Sequence, residues 1–224
     1  MPFGKWDHRP YMKEGLLITR ATERYKQLKS CYNSITFKGS DINMEKRNPY
    51  IQTERLVLRD FNEKDLAGFY NYRTDKKLCR FQDFSLASQK ELYDFYTDQL
   101  GVKIGATEWK QLAIASHDGL LMGDCAIKRN EYESRIAEIG ITLDWPYHGA
   151  GYAKEAISGL VSYAFDKLEL HKIVAVVDIR NIASRRLFES LSFTLEGRFR
   201  KHYWDKIDNE WFDELHFGLL STDI

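Results

Sequence analysis

The run Tyr147-His148-Gly149-Ala150-Gly151-Tyr152-Ala153-Lys154-Glu155-Ala156 joins two unlike patterns. Before it, Ile139, Ile141 and Leu143 alternate as a strand does, and Trp145-Pro146 ends that strand because proline donates no ladder hydrogen bond. After it, Ala153, Ala156, Ile157, Leu160, Val161, Ala164 and Leu168 recur at helical spacing. A glycine-bearing turn into a helix leaves the first N–H groups free, and the helix dipole adds partial positive charge. Gly149 and Gly151 let an anion approach the backbone. The loop alone is therefore either an anion site or a tight connection. A dinucleotide fingerprint needs a glycine where Lys154 stands, and a P-loop needs Gly-Lys-Ser/Thr; neither is present.

Downstream, residues 172–178 center on Ile-Val-Ala-Val-Val and read as a buried strand. Strand, long helix, strand implies a parallel pair with a right-handed crossover. A helix over 183–191, a strand from Phe193 and a hairpin over 195–220 turning at 206–209 complete this half. Upstream, residues 53–59 read as a strand, and Asn62 caps a helix with Leu66, Phe69 and Tyr70 inward. Ser88-Gln89-Lys90-Glu91 is a capping-box pattern opening a helix toward Leu100. His117-Asp118-Gly119 joins strands over 109–116 and 120–128. The fold class is α+β with a mixed, mostly antiparallel sheet.

The 224-residue chain has zero formal net charge, so nothing global argues for nucleic acid or a membrane surface. Residues 1–48 carry ten Lys/Arg against five Asp/Glu, a net of +5 that leaves −5 for the remainder. Cys31, Cys79 and Cys125 are odd in number and form no Cys-x-x-Cys pair, which speaks for a reducing compartment without disulfides or a zinc site. Residues 2–14 hold no signal-peptide core, and no stretch approaches the roughly 20 apolar residues that span a bilayer. A cytoplasmic, soluble protein is expected. Met44 could itself be a start; residues 1–43 are then a dispensable extension, or else an arm packed on the domain.

The loop over 147–156 resembles the acetyl-CoA loop of the GNAT superfamily of N-acetyltransferases, whose Gln/Arg-x-x-Gly-x-Gly/Ala pattern falls on His148, Gly151 and Ala153. Asn181-Ile182-Ala183-Ser184, then Leu187, Phe188, Glu189, Leu191 and Phe193, resembles the family's Asn-x-x-Ser…Glu-x-x-Gly-Phe pattern. Thr53-Glu54-Arg55-Leu56-Val57-Leu58-Arg59 resembles the opening of the RimJ/RimL (ribosomal-protein-alanine N-acetyltransferase-like) branch, and Leu195-Glu196-Gly197 its continuation. The resemblance spans residues 51–220. It implies a GNAT domain over 49–224 after an N-terminal extension over 1–48. It also implies an α/β/α sandwich with a splayed parallel strand pair at the acetyl-CoA site. Two positions depart from the pattern. His148 stands for Gln or Arg, and Ser192 stands for the glycine before Phe193, which is expected to strain that turn.

The resemblance implies direct attack by an amine on acetyl-CoA in a ternary complex, with acetyl-CoA as co-substrate and no metal. The backbone N–H groups of His148, Gly149, Ala150, Gly151, Tyr152 and Ala153 then hold the pyrophosphate. Ile139, Ile141 and Leu143 pair with the pantetheine arm, and the same strand supplies an oxyanion donor. Asn181 bonds the pantetheine. Ser184 donates to the departing sulfur, since Phe188 stands where many members carry Tyr. An alkyl amine with a pKa near about 10 needs help to lose its proton at neutral pH. Glu138, His202 and a water relay all remain open for that task; Tyr203, where some relatives place Glu, is a poor base. Phe199, His202, Tyr203, Trp204, Trp211 and Phe212 either wall an acceptor cleft or pack the hairpin. Lys167, Lys172 and Arg185 either meet phosphates or are surface charges. The acceptor is a protein N-terminus, a polyamine, an antibiotic or another small amine. No nucleic acid or membrane partner is expected, and a homodimer suits this branch. The competing class is a non-catalytic acyl-CoA-binding module.

Overall fold

The computed structural model describes residues 50–82 and 84–224; the extension expected over 1–48 lies outside them. The elements are β1 (Ile51–Gln52), β2 (Leu56–Arg59), α1 (Leu66–Arg73), α2 (Gln89–Gly101), β3 (Lys110–Ser116), β4 (Leu121–Arg129) and β5 (Ile136–Leu143). α3 (Tyr152–Asp166), β6 (Lys172–Asp178), α4 (Ile182–Ser190), β7 (Thr194–Asp205) and β8 (Glu210–Leu220) follow. The eight strands form one sheet in the order β1-β2-β3-β4-β5-β6-β8-β7. Only β5 and β6 pair in parallel, joined through α3; every other pairing is antiparallel.

The stretch over 53–59 is not one strand. Thr53 N–H donates to the Leu56 carbonyl at 2.9 Å and Thr53 Oγ1 accepts from Leu56 N–H at 3.0 Å, so a threonine-bridged turn separates β1 from β2. Asn62 opens a 3₁₀ turn over Glu63–Asp65, boxed with Asp65, that leads into α1. In α1 the buried residues are Leu66, Phe69, Tyr72 and Arg73, with Tyr70 only half-buried. Ser88 caps α2, but Glu91 reaches the N–H of Ala87 rather than that of Ser88.

β8 lies between β6 and β7 because its alternate residues Leu215, Phe217 and Leu219 are buried. β7 is mostly exposed and carries Arg198, Arg200 and Lys201, which suits an edge strand. Helix α3 buries Ala156, Ile157, Leu160, Val161 and Ala164 on one face of the sheet, beside Phe188 of α4. Each fully buried Ile or Leu there contributes about 1.5–3 kcal/mol. Helices α1 and α2 cover the other face through Phe69, Tyr72, Leu92 and Tyr96. The result is an α/β/α sandwich. Among the described residues no helix is long and apolar enough to cross a membrane.

Candidate active site

β5 and β6 pair only through Ile136↔Lys172, Ala137↔Ile173 and Glu138↔Val174. Both strands run on, β5 against β4 as far as Leu143 and β6 against β8 as far as Asp178, so they diverge beyond Glu138. From Ile139 the β5 edge that faced β6 borders a cleft, and an extended ligand can pair with it as a strand would.

The loop at the far end of β5 has the conformation an anion needs. Gly149 and Gly151 take positive φ of 76° and 83°. Gly151 is the N-cap of α3 and gives no side-chain cap, so the N–H groups of Tyr152, Ala153 and Lys154 lack an intrahelical acceptor. The His148 ring does not replace the usual long side chain on the ligand. Its Nε2 lies 2.8 Å from the Leu143 carbonyl, and because a carbonyl only accepts, that nitrogen carries the proton and tethers the loop to β5.

Glu155, in the first turn of α3, would repel an anion if it pointed forward. It is turned back. Its carboxylate accepts from Thr53 Oγ1 at 2.6 Å, Arg55 N–H at 2.7 Å and Arg55 Nε at 2.6 Å. Arg55 also donates to the Ala150 carbonyl at 3.0 Å and lies 4.3 Å over the Tyr152 ring. Partial burial pushes the Glu155 carboxyl up, and the bonds from Thr53 and Arg55 outweigh it, so its pKa is lowered.

A cavity of about 310 Å³ opens on the sheet face under α1 and α2. It brings together Glu138, Ile139 and Ile141 of β5 with Asn181 and Ser184 of α4. Gly140 lies between them and leaves the wall without a side chain. Asn181 caps α4, its Oδ1 accepting from Ser184 N–H at 3.1 Å. Glu138 lies 3.3 Å from Lys128 Nζ, which itself sits 4.6 Å over the Trp109 ring. Leu143 and residues 148–153 belong to the loop end of the site and do not line this cavity.

His202 does not line it either; the side chain is 57% exposed and pairs with Glu214 at 2.5 Å. The aromatic run around it packs the hairpin. Phe199 stacks on His216, Arg180 covers Phe212, and Trp204 meets Trp211 at 5.3 Å. The aromatic walls come instead from Phe81, Phe84, Phe95 and Trp109. Lys172 is paired with Glu196 at 2.6 Å.

Two charged networks that sequence patterns did not expose frame the cavity. Its floor holds fully buried Asp124, which accepts from Tyr72 Oη at 2.6 Å, from Arg73 Nε at 3.1 Å and Nη2, and from Gln111 Nε2. Burial, then the Asp124 charge, pushes the Tyr72 phenol well up. Burial opposes the Arg73 charge, but Asp124 outweighs it and raises the guanidinium pKa. Opposite lies a latch in which Arg80 pairs with Asp205 at 2.5 Å and with Asp208, while Arg180 pairs with Asp178, Asp205 and Asp208 at 2.5–2.7 Å. Burial pushes the Asp205 carboxyl up, yet the bonds from Arg180 and Arg80 hold it far below the usual carboxylate range. The one available signal was an Asp at 124 inside an otherwise apolar strand.

The acetyltransferase (GNAT) domain family matches residues 55–194. The uncharacterized N-acetyltransferase YnaD of Bacillus subtilis is 26% identical over 174 residues, which is 78% of this chain and 98% of YnaD. A GNAT-family acetyltransferase from Bacillus anthracis superposes with a TM-score of 0.66 at 26% identity, over 76% of this chain and 97% of that one. The spermidine N-acetyltransferase of Vibrio cholerae, solved with CoA and spermine, shares the fold with a TM-score of 0.67 at 22% identity, over 76% of this chain and 98% of that one. Acetyltransferases of this family use acetyl-CoA, and the splayed strands, uncapped helix start and cavity described above suit that donor. The chain belongs to the GNAT family and is an N-acetyltransferase.

Proposed function

We propose that this enzyme, a RimJ/RimL-type member acting in the cytoplasm, acetylates a primary amine, either a polyamine-like small amine or a protein N-terminus, by direct attack in a ternary complex. The observation that carries the reading is the shared cavity: Glu138, the open β5 edge and Ser184 line one space. The N–H groups from Gly149 to Ala153 hold the donor's pyrophosphate; that of His148, expected to join them, is taken by the Trp145 carbonyl at 3.2 Å. The β5 edge from Ile139 to Leu143 pairs with the pantetheine arm. That arrangement puts the thioester between β5 and α4. The amine nitrogen bonds to the acetyl carbon and the carbon–sulfur bond breaks. A β5 N–H stabilizes the carbonyl oxygen. Glu138 takes the amine proton, and the Ser184 hydroxyl bonds the departing sulfur, whose thiol pKa of about 8.5 is low enough for a hydrogen bond to suffice. Glu138 is preferred to His202 because it lines the cavity and His202 does not. The lining itself carries the carboxylates of Asp124, Glu138 and Asp178 against one cation, Arg73, while the partners of Glu138 and Asp178, Lys128 and Arg180, lie outside it; that face suits a cationic acceptor, and the similar Vibrio cholerae protein acts on spermidine.

The test is the pH dependence of kcat/KM. Glu138→Gln is expected to move the limb that rises with pH up toward the amine's own pKa of about 10, and Ser184→Ala to lower kcat by about 100-fold or more. A rising limb unchanged in Glu138→Gln would remove Glu138 from the mechanism.

A further inference from the structure

The β7–β8 hairpin carries a side-chain cluster that acyl transfer leaves unused. His202, Glu214 and His216 each offer one ligand atom, and these atoms lie within 4.8 Å of one another. Glu214 and His216 alternate onto one face of β8. The register shift between Phe199 and Tyr203, with Lys201 at φ 47°, brings His202 from β7 to meet them. Phe199 stacks on the His216 ring with 3.9 Å between centroids and fixes its plane. The Nε2 of His216 is buried without a hydrogen-bond partner among the described residues. A buried ring nitrogen left so costs stability unless something outside the chain satisfies it.

Two imidazoles and one carboxylate form a three-ligand set for a borderline-soft divalent cation, with a fourth position left for water. Harder ions such as calcium or magnesium call for more oxygen ligands. Bond lengths of about 2.0–2.2 Å put tetrahedral zinc ligands closer together than 4.8 Å, so the cluster must contract on binding. The exposed His202 is free to do this, and the ion replaces its hydrogen bond to Glu214. We infer that His202, Glu214 and His216 form a zinc-class cation site on the β7–β8 hairpin. His216 pairs in register with Val176, which lines the acceptor cavity, so the bound ion lies one strand from the acceptor.

The test is calorimetric titration of the full chain, stripped with EDTA, with zinc chloride, and cobalt(II) absorption as a second readout of the ligand set. One saturable equivalent is expected, with cobalt bands of a four-coordinate nitrogen–oxygen site. His202→Gln and His216→Gln are each expected to weaken binding by about tenfold or more. His202 is exposed, so His202→Gln keeps the fold even if His216→Gln does not; thermal melts without metal check both. Absence of saturable binding overturns the inference. So does equal affinity in the wild type and His202→Gln, which would place the ion elsewhere.

Discussion

Arg55, in the turn between β1 and β2, and Glu155, in the first turn of α3, meet through two hydrogen bonds of 2.7 and 2.6 Å, one from the Arg55 backbone and one from its side chain. With the Arg55 bond to the Ala150 carbonyl, they brace the proposed donor loop from outside and turn a carboxylate away from it. Arg55 is therefore a positioning residue. A small misplacement of a binding element costs up to about 100-fold, so Arg55→Ala is expected to raise KM for acetyl-CoA by about tenfold. Its melting temperature without ligand should stay near that of the wild type, because the side chain is partly exposed. Steady-state kinetics and a ligand-free melt check this, and an unchanged KM contradicts it.

The same carboxylate gives a pH signature. The folded-state pKa of Glu155 is lowered by Thr53 and Arg55 against the effect of burial. Its stabilization is therefore complete above the unfolded value of about 4.3 and is lost as pH falls through the lowered value. On acidification the wild type should lose stability more steeply than Glu155→Gln, and the gap between them should close. Denaturant melts between about pH 6 and pH 3 measure it; parallel curves would show that Glu155 is not held below its ordinary value.

Gly140, in the cavity wall, offers a way to test acceptor binding apart from donor binding. A Cβ placed there meets no atom within 4 Å, so the position has room for a side chain to begin, as in Gly140→Val. The new side chain occupies the cavity wall, while the pantetheine arm is assigned to the backbone edge. The specificity constant kcat/KM for the amine should fall by about tenfold or more, on the scale of filling a pocket, with acetyl-CoA affinity kept. Loss of both affinities together would show that a side chain at 140 blocks the donor's thioester end as well as the acceptor.

Ser192 sits at φ 64°, the left-handed position that glycine favors. Phe193 N–H reaches the Phe188 carbonyl at 3.1 Å and Ser192 N–H the Glu189 carbonyl at 3.2 Å, with the Phe188 and Phe193 rings in contact. This is a complete Schellman ending with serine in the glycine place. Ser192→Gly relieves strain but adds unfolded-state freedom, so a net gain of about 0.5–1 kcal/mol is expected from urea unfolding. A loss of stability would show that the strain is absorbed elsewhere.

The parts of the fold legible in the sequence are those set by local pattern. The α3 stripe, the β6 run and the turn at 206–209 follow from periodicity and turn chemistry, and so does the strain at Ser192. Contacts between distant segments were not legible. The insertion of β8 between β6 and β7 depends on which strand of a hairpin is more apolar, and the split of 53–59 on one threonine hydroxyl. Thr53, Arg55 and Glu155 all stood in recognized motifs, but their partnership spans about a hundred residues and no spacing rule reaches it. The Asp124–Arg73 floor and the Arg80–Arg180 latch are likewise tertiary. His202 illustrates the reverse: its residue type suited a base at neutral pH, while the hairpin irregularity turned it toward Glu214.

In the proposed reaction one cavity receives both the acetyl donor and an amine. The most direct measurement is free-thiol release from acetyl-CoA by the full chain, with spermidine and an alanine-terminated peptide varied in turn. Release that saturates in both acetyl-CoA and at least one amine, and that falls sharply in Gly140→Val, is expected. If acetyl-CoA raises the melting temperature but neither amine releases thiol above background, the chain binds the donor without passing its acetyl group to this class of acceptor, and the account is contradicted.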